Sequence, residues 1–127
     1  ILDTRIYARA GDGRIASVEN GRTTTSELTK KHVAKALVVK AFNNIVAGQI
    51  PTDGLPQDAK GRRALPIAGN YPEANAEVAE FLETAGYDVL DVGKLSNSWQ
   101  FENGTPAYVR RATLPELRKL LAAATRK

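Results

Sequence analysis

A buried strand that runs into a polar loop constrains this chain more than any other part of its sequence. Residues 37–39 are Leu-Val-Val, an apolar run without alternation. Such a run is typical of a strand covered on both faces, as in parallel α/β sheets. Residues 43–48, Asn-Asn-Ile-Val-Ala-Gly, follow it as a loop. Because open α/β sheets bind ligands at the carboxyl ends of their strands, this loop is either a binding site for an organic ring or a plain polar turn.

Composition limits the class of protein. The 127 residues suffice for a single domain over residues 1–127, and 43% hydrophobic with 25% charged residues is ordinary for a globular protein. No apolar run reaches membrane-spanning length and no signal peptide is evident, so we expect a cytoplasmic protein without a membrane partner. The chain has no Cys and a single His, which excludes thiolate chemistry and paired-His metal sites. We therefore predict no metal, and a structural role for His32 near the end of a helix.

Most of the chain alternates between predicted helix and strand. Thr24 and Glu27 have the spacing of a capping box and predict a helix over residues 25–32. Apolar patterns predict strands at the chain start, residues 1–4, and at residues 36–41, 63–69 and 89–93. Since Pro66 cannot donate to a ladder, its strand should lie at a sheet edge or carry a distortion.

Two further helices complete the pattern. Asn70 is expected to cap the first, which should end near Gly86 and bury the stripe Ala74, Val78, Phe81, Leu82 and Ala85. Thr113 and Glu116 have capping-box spacing and open the last helix. Strands alternating with helices over short connections predict an α/β fold with a mostly parallel sheet.

A glycine motif near the chain start lacks the context of a nucleotide-binding loop. Residues 11–16 match G-x-G-x-x-A. A working fingerprint needs a strand before it and a helix after it, because the helix amino terminus holds the pyrophosphate. The residues before this motif do not form a strand pattern, so we do not assign it to a dinucleotide.

A set of ordered motifs carries a family resemblance. Residues 38–45 (VVKAFNNI), 64–70 (ALPIAGN) and 88–95 (DVLDVGKL) precede a Thr-Pro pair at 105–106, and residues 23–28 are TTTSEL. Together they resemble the carboxyl-terminal half of the deazaflavin-dependent NADP oxidoreductases, also called coenzyme F-420-dependent reductases. The resemblance implies a three-layer, Rossmann-like fold with a mostly parallel sheet, present only in part. It also implies hydride transfer between NADP(H) and a deazaflavin coenzyme in a longer parent protein.

The resemblance also implies roles for five residues. Ile45 and Ala47 would offer backbone groups to the nicotinamide carboxamide, and Asn43 would face the ring cleft. Asn103 and Thr105 would contact the deazaflavin. No residue is assigned a catalytic role, because the two coenzymes carry the chemistry themselves.

The family's glycine fingerprint would lie upstream of Ile1. We therefore expect this chain to be a carboxyl-terminal piece that is inactive alone. It should pair with the missing amino-terminal half or with a second copy of itself. Arg5 departs from the family pattern, which often has Asn there, and Asn103 stands where some members have Ser.

Two other functions remain open. A non-enzymatic interaction or scaffold fragment is the first alternative, because half a sheet presents an open edge. A small nucleic-acid-binding domain is less favoured, since the net charge is only +4 and the Lys/Arg pairs are dispersed. For Trp99 and Phe101 we prefer burial as core or interface anchors over a place in the wall of a ligand cleft.

Overall fold

The computed structural model describes residues 1–126, in which helices and strands alternate along the chain. In order, the elements are β1 (Leu2–Asp3), α1 (Arg9–Asp12), α2 (Ala16–Glu19), α3 (Thr25–His32), β2 (Val39–Lys40), β3 (Ala64–Gly69), α4 (Pro72–Thr84), β4 (Asp88–Asp91) and α5 (Leu114–Ala122). Two 3-10 segments, Ala47–Gln49 and Leu95–Phe101, follow β2 and β4. The predicted α/β fold is confirmed.

The four strands form one open, mostly parallel sheet. Their order is β1-β2-β3-β4, so sequence neighbours are also spatial neighbours. β1 and β2 are parallel, with Leu2 opposite Val39, and β3 and β4 are parallel, with Ala64 opposite Asp88. The central pair, β2 and β3, is antiparallel. This arrangement is consistent with a partial Rossmann-like domain.

Alternate residues of β3 build hydrophobic clusters on opposite faces of the sheet. On one face, Leu65 and Ile67 pack with Leu82 of α4. On the other face, Ala64 and Ala68 pack with leucine side chains of α5. Because side chains along a strand point alternately to the two faces, α4 and α5 cover opposite sides of the sheet. The fold therefore has the predicted three layers.

Pro66 lies within β3, which has neighbouring strands on both sides. The expectation of an edge position is therefore wrong. β2 pairs with β3 only at Ala68 and Gly69, so its ladder stops before it reaches Pro66. Ala64, on the same side of the strand, donates its N–H to Ala112 instead, at 2.8 Å. The shortness of β2 is what allows a proline in an interior strand.

α3 and α5 begin at the capping boxes predicted from the sequence, whereas α4 lacks the predicted cap. Thr24 and Glu27 form the predicted capping box, with the Glu27 N–H 3.2 Å from Thr24 Oγ1 and the Thr24 N–H 2.8 Å from Glu27 Oε2. α4 instead begins at Pro72, and Asn70 is not its cap. The Oδ1 atom of Asn70 accepts the N–H of Leu95 at 3.0 Å. No helix within the described part of the chain is long and apolar enough to cross a bilayer.

Part of the stripe predicted to be buried on α4 is exposed. Phe81 is 56% exposed, and Ala85, just after the helix, is exposed too. The helix turns Asn75 and Leu82 toward the sheet, which leaves Phe81 at the margin of the contact. There its ring meets Phe42 edge-on, with 6.3 Å between ring centroids.

The start of the chain is an exposed edge of the sheet. Ile1, Leu2 and Leu37 are 61%, 40% and 47% exposed. Of residues 1–4 and 37–39, only Asp3, Val38 and Val39 are buried, so this chain by itself covers residues 38–39 but not the rest of the predicted buried strands. β1 is the terminal strand of the sheet, and within it only Asp3 is buried.

The glycine motif at residues 11–16 is not preceded by a strand. The helical turn α1 (Arg9–Asp12) leads into it, and Gly13 is exposed with a φ of +74°. A pyrophosphate loop would need a strand in that position. The motif therefore lacks the strand that precedes the glycines of a dinucleotide-binding loop.

Candidate functional site

The loop after β2 begins with an unusual backbone bend. β2 ends at Lys40, and Phe42 has a φ of +61°, in the left-handed region. Bulky residues rarely adopt this conformation, so the surrounding contacts must hold it. Residues 43–46 follow, and the chain then enters the 3-10 turn Ala47–Gln49. The loop predicted from the sequence is therefore an ordered segment at the carboxyl end of β2.

Three of the predicted binding residues share one surface depression. Asn43, Ile45 and Ala47 line a hollow of about 380 Å³ whose other walls include Ile6 and Val109. None of its lining residues carries a charge, although 25% of the chain's residues are charged. An uncharged hollow suits a neutral ring better than a phosphate group.

Asn43 is fixed at one end of its amide and unsatisfied at the other. Its side chain is buried, and Nδ2 donates to the backbone oxygen of Phe101 at 3.0 Å. Its Oδ1 has no hydrogen-bond donor among the described residues. A buried amide oxygen without a donor is costly, so Asn43 beside the depression keeps an unsatisfied acceptor that lies beneath the surface.

Backbone groups are also available in this loop. The side chain of Ile45 packs into the core, while its C=O has no hydrogen-bond partner among residues 1–126. Ala47 opens the 3-10 turn, and the first N–H of a helical turn has no partner within it. The two residues therefore combine a fixed position with unpaired backbone polar groups.

The other two predicted residues lie in a different place. Asn103 and Thr105 line a second cavity, of about 300 Å³, in which none of the first three takes part. The Thr105 hydroxyl donates to the backbone oxygen of Glu102 at 2.8 Å, while Asn103 is exposed. The structure thus divides the five residues between two hollows. The Asn43–Phe101 hydrogen bond joins the segments that carry them.

A buried ion pair that the sequence reasoning missed braces the second cavity. Lys40 is fully buried and pairs with Glu102, which lines that cavity. Its Nζ also donates to the backbone oxygen of Arg5 at 2.9 Å. A signal for it was present, since Lys40 interrupts an otherwise apolar run, in which Val38, Val39 and Ala41 are buried. Lysine is rarely fully buried unless it is paired.

Trp99 and Phe101 have different environments. Phe101 is fully buried in the cluster under α5, which confirms its predicted role as a core anchor. Trp99 is half-buried and lines the second cavity. The guanidinium carbon of Arg126 lies 5.8 Å from the centroid of the indole ring.

Tyr87 supports the loop, lines neither hollow and has a shifted pKa. Burial, reinforced by the carboxylate of Asp53, raises the pKa of the Tyr87 phenol. The neutral hydroxyl donates to the backbone oxygen of Ile50 at 2.7 Å, just after the 3-10 turn. Tyr87 is therefore a structural anchor of the loop. Within residues 1–126, no three His, Cys, Asp or Glu residues cluster as metal ligands.

Comparisons with known proteins give partial matches. No known family profile matches the chain. Over 54 residues it is 32% identical to an Escherichia coli (strain K12) protein described as "Putative protein YjhV", which covers 42% of this chain and 39% of that protein. The crystal structure of the hypothetical protein SMa0349 from Sinorhizobium meliloti matches 88% of this chain and 53% of its own, with 30% identity and a TM-score of 0.70.

The description of a second solved structure that the chain matches names an activity. It comes from Arthrobacter sp. FB24 and is described as a "putative F-420 dependent NADP-reductase"; it is 30% identical, with a TM-score of 0.52. The match covers 59% of this chain and 33% of that one. The chain thus spans about half, or less, of the length of the proteins that it matches. The comparisons support a distant, partial relation to a protein with an oxidoreductase-like, Rossmann-like fold.

Proposed function

We propose that this chain forms the nicotinamide-facing part of an NADP(H)-dependent oxidoreductase that exchanges hydride with a deazaflavin coenzyme. The observation that carries the proposal is the uncharged depression lined by Asn43, Ile45 and Ala47. The partial similarity of the chain to the Arthrobacter structure described as an F-420 dependent NADP-reductase supports the same reaction class.

The depression fits a neutral ring that bears a carboxamide. Such a group has both N–H donors and a C=O acceptor. Asn43 borders the depression, and the C=O of Ile45 and the N–H of Ala47, which have no partner among the described residues, would bind the carboxamide. A phosphate would find no cation among the lining residues.

In hydride transfer between two bound coenzymes, the main role of the protein is to orient the two rings. Reduced nicotinamide supplies the hydride, and the deazaflavin takes up one proton from the solvent, so that no side chain need act as the acid. In the proposed site, Asn43 and the backbone of Ile45 fix the ring plane, and the apolar walls exclude water. None of the residues that line this depression carries a charge, which agrees with such a role.

Asn103 and Thr105 are proposed to contact the deazaflavin from the second cavity. Asn103 lies two residues from Phe101, whose backbone oxygen binds the Asn43 amide. One short segment would then touch both coenzymes.

Further chain is proposed to cover the exposed edge at β1. Ile1 and Leu2 are 61% and 40% exposed on a terminal strand with unpaired backbone groups. The matched proteins extend well beyond the aligned region, so the proposed occupant is an additional half of the sheet. Sedimentation of the 127-residue chain over a range of concentrations would separate this from pairing of two copies. Self-association would indicate a second copy and favour the scaffold alternative.

The decisive test is a hydride-transfer assay on the complete protein that contains this chain, with NADPH as donor and a deazaflavin acceptor. Ala47→Phe would fill the depression with an aromatic side chain while leaving β2 unchanged. We expect a large loss of turnover with a small change in melting temperature. His32→Ala is the matched control, because His32 is exposed at the end of α3, away from both hollows. Normal turnover in Ala47→Phe, or none in a folded His32→Ala variant, would overturn the proposal.

A further inference from the structure

The second cavity is built from parts of the chain that are distant in sequence. Its walls come from Tyr7, residues 18–25, residues 99–105 and residues 125–126. Its volume of about 300 Å³ is at the lower end of the range of small-molecule sites. A hollow closed by four separate segments is fixed by the tertiary fold rather than by one flexible loop.

Trp99 offers this cavity a rigid aromatic surface. The indole is half-buried, whereas its neighbours Ser98 and Phe101 in the same 3-10 segment are fully buried. These neighbours hold the segment in place, so the indole has little freedom to turn away. An exposed aromatic face on a fixed support is well suited to stacking against a flat ligand.

Arg126 lies over this indole at a distance that leaves the contact loose. Its guanidinium carbon is 5.8 Å from the ring centroid, within the range of cation–π attraction. It makes no ion pair within the described part of the chain. A ring stacked on the indole beneath the guanidinium needs about 7 Å between them, twice a contact distance of roughly 3.5 Å, so the exposed Arg126 side chain would have to move outward to admit it.

The carboxylates around the cavity are already neutralised. Glu19 lies 3.4 Å from the guanidinium nitrogens of both Arg9 and Arg14. Glu102 is paired with the buried Lys40. The wall therefore presents no uncompensated negative charge, and Arg126 is the cation nearest to the indole. A neutral or weakly anionic ligand suits this environment.

Polar groups at the wall can bind the edge of a ring. The exposed amide of Asn103 offers both a donor and an acceptor. Ring nitrogens and carbonyl oxygens of a heterocycle are complementary to such groups.

From these features we infer that the cavity binds a planar nitrogen heterocycle, which stacks on Trp99 and is covered by the guanidinium of Arg126. Bases are commonly held in this way between aromatic rings and arginine planes. The inference adds two recognition residues to the cavity of Asn103 and Thr105. It rests on the geometry at Trp99 and stands without the proposed hydride transfer.

The test measures binding of two uncharged probes, riboflavin with three fused rings and adenosine with two, to the 127-residue chain. Trp99 is the single tryptophan, so its fluorescence reports directly on this cavity. We expect quenching by at least one probe. Calorimetry should then show affinity reduced about 10-fold or more by Trp99→Leu, since stacking contributes about 1–3 kcal/mol per base. Arg126→Leu should weaken binding by a smaller factor.

The chain supplies a matched control. Lys30 Nζ lies 5.7 Å from the ring centroid of Tyr71, a second cation–aromatic pair of nearly the same separation, and neither residue lines the cavity. Lys30→Leu should therefore bind the probe like the unmodified chain. If Trp99→Leu does not fold, as judged by circular dichroism, Arg126→Leu decides, because Arg126 is exposed.

Three results would overturn the inference. They are no binding of either probe up to its solubility limit, unchanged affinity in a folded Trp99→Leu or Arg126→Leu variant, or equal loss in Lys30→Leu. No NADPH or acceptor is present in this experiment. A failure here is thus distinct from a failure of the hydride-transfer assay.

Discussion

The side-chain oxygen of Asn44 accepts the backbone N–H of Val109 at 3.0 Å, which joins the loop after β2 to the segment before α5. Val109 has a φ of +47°, a strained conformation for a β-branched residue. Asn44 is fully buried, and its backbone oxygen accepts Arg63 Nη2 at 3.2 Å. One asparagine thus holds a strained backbone at the rim of the proposed nicotinamide site.

Asn44→Ala should destabilise the fold. The change leaves the Val109 N–H without its acceptor in a partly buried position, at a cost of about 1–3 kcal/mol. Urea unfolding followed by circular dichroism would measure it. Asn103→Ala is the control. That exposed amide makes no hydrogen bond with the residues that the structure describes, so its loss should lower the free energy of unfolding by less than about 0.5 kcal/mol. Equal urea midpoints for the two variants would refute the role given to Asn44.

Lys40→Met should be among the most destabilising single changes in the chain. It leaves the Glu102 carboxylate paired with nothing in a largely buried site, and breaking a buried pair costs about 3–5 kcal/mol. Adding Glu102→Leu should restore part of this loss, because both charges are then removed. Denaturant midpoints of the single and double variants form the test.

A surface pair provides the comparison for Lys40. Arg14 pairs with Glu19 at 3.4 Å, but its side chain is 71% exposed. Arg14→Met should cost less than about 1 kcal/mol. A double variant less stable than Lys40→Met alone would contradict the burial argument.

Gly86→Ala should destabilise the turn after α4. Gly86 has a φ of +104°, and an added Cβ would lie 2.6 Å from the Cα of Gly54. The conformation alone costs about 1–3 kcal/mol for a residue with a side chain, and the backbone clash adds to it. Thermal melting measures the loss. Gly48→Ala, where no atom lies within 4 Å and φ is outside the left-handed region, should melt within a few degrees of the unmodified chain.

Local signals predicted the helices best. Thr24 and Glu27 lie three residues apart and fix the start of α3 without help from the rest of the fold. Asn70 resembles a cap as well, but its side-chain oxygen accepts the N–H of Leu95, 25 residues away, instead of an N–H of α4. No local pattern reveals that competition. The predicted edge position of Pro66 is wrong for the same reason. Whether a proline fits in this interior strand depends on how far β2 extends, which no local pattern shows.

The candidate site divides in a similar way. The loop at residues 43–48 follows from a buried strand and its carboxyl end, so its place was predictable. The ion pair between Lys40 and Glu102 joins residues that are far apart in sequence. Likewise, the separation of Asn43 from Asn103 into two hollows results from tertiary packing. Sequence spacing carries no information about such contacts.

Stability should fall at alkaline pH through Tyr87. Burial raises the pKa of this phenol, so the fold favours its neutral form. Its contribution is fully present below the unfolded pKa of about 10 and is lost as the pH rises through the higher folded value. Melting temperatures between pH 8 and 11 would show the decline. Tyr87→Phe should be less stable at pH 8 but should decline less steeply, and parallel curves would contradict this account.

Acid should act on α5 through Glu116. The Glu116 carboxylate accepts the backbone N–H of Thr113 at 2.8 Å, and this hydrogen bond is the main cause of its lowered pKa. A depressed pKa means that the stabilisation is present above the unfolded value of the carboxyl and is lost as the pH falls through the folded value. Glu116→Gln keeps an acceptor for the capping box but removes the charge. The unmodified chain should therefore melt above Glu116→Gln at pH 7, and the two should converge as the pH falls below the ordinary range of a glutamate. Glu116→Ala, which lacks the acceptor altogether, should melt lowest at pH 7 and remain below Glu116→Gln at acid pH. If the unmodified chain and Glu116→Gln melt together at pH 7, the charge does not stabilise the start of α5.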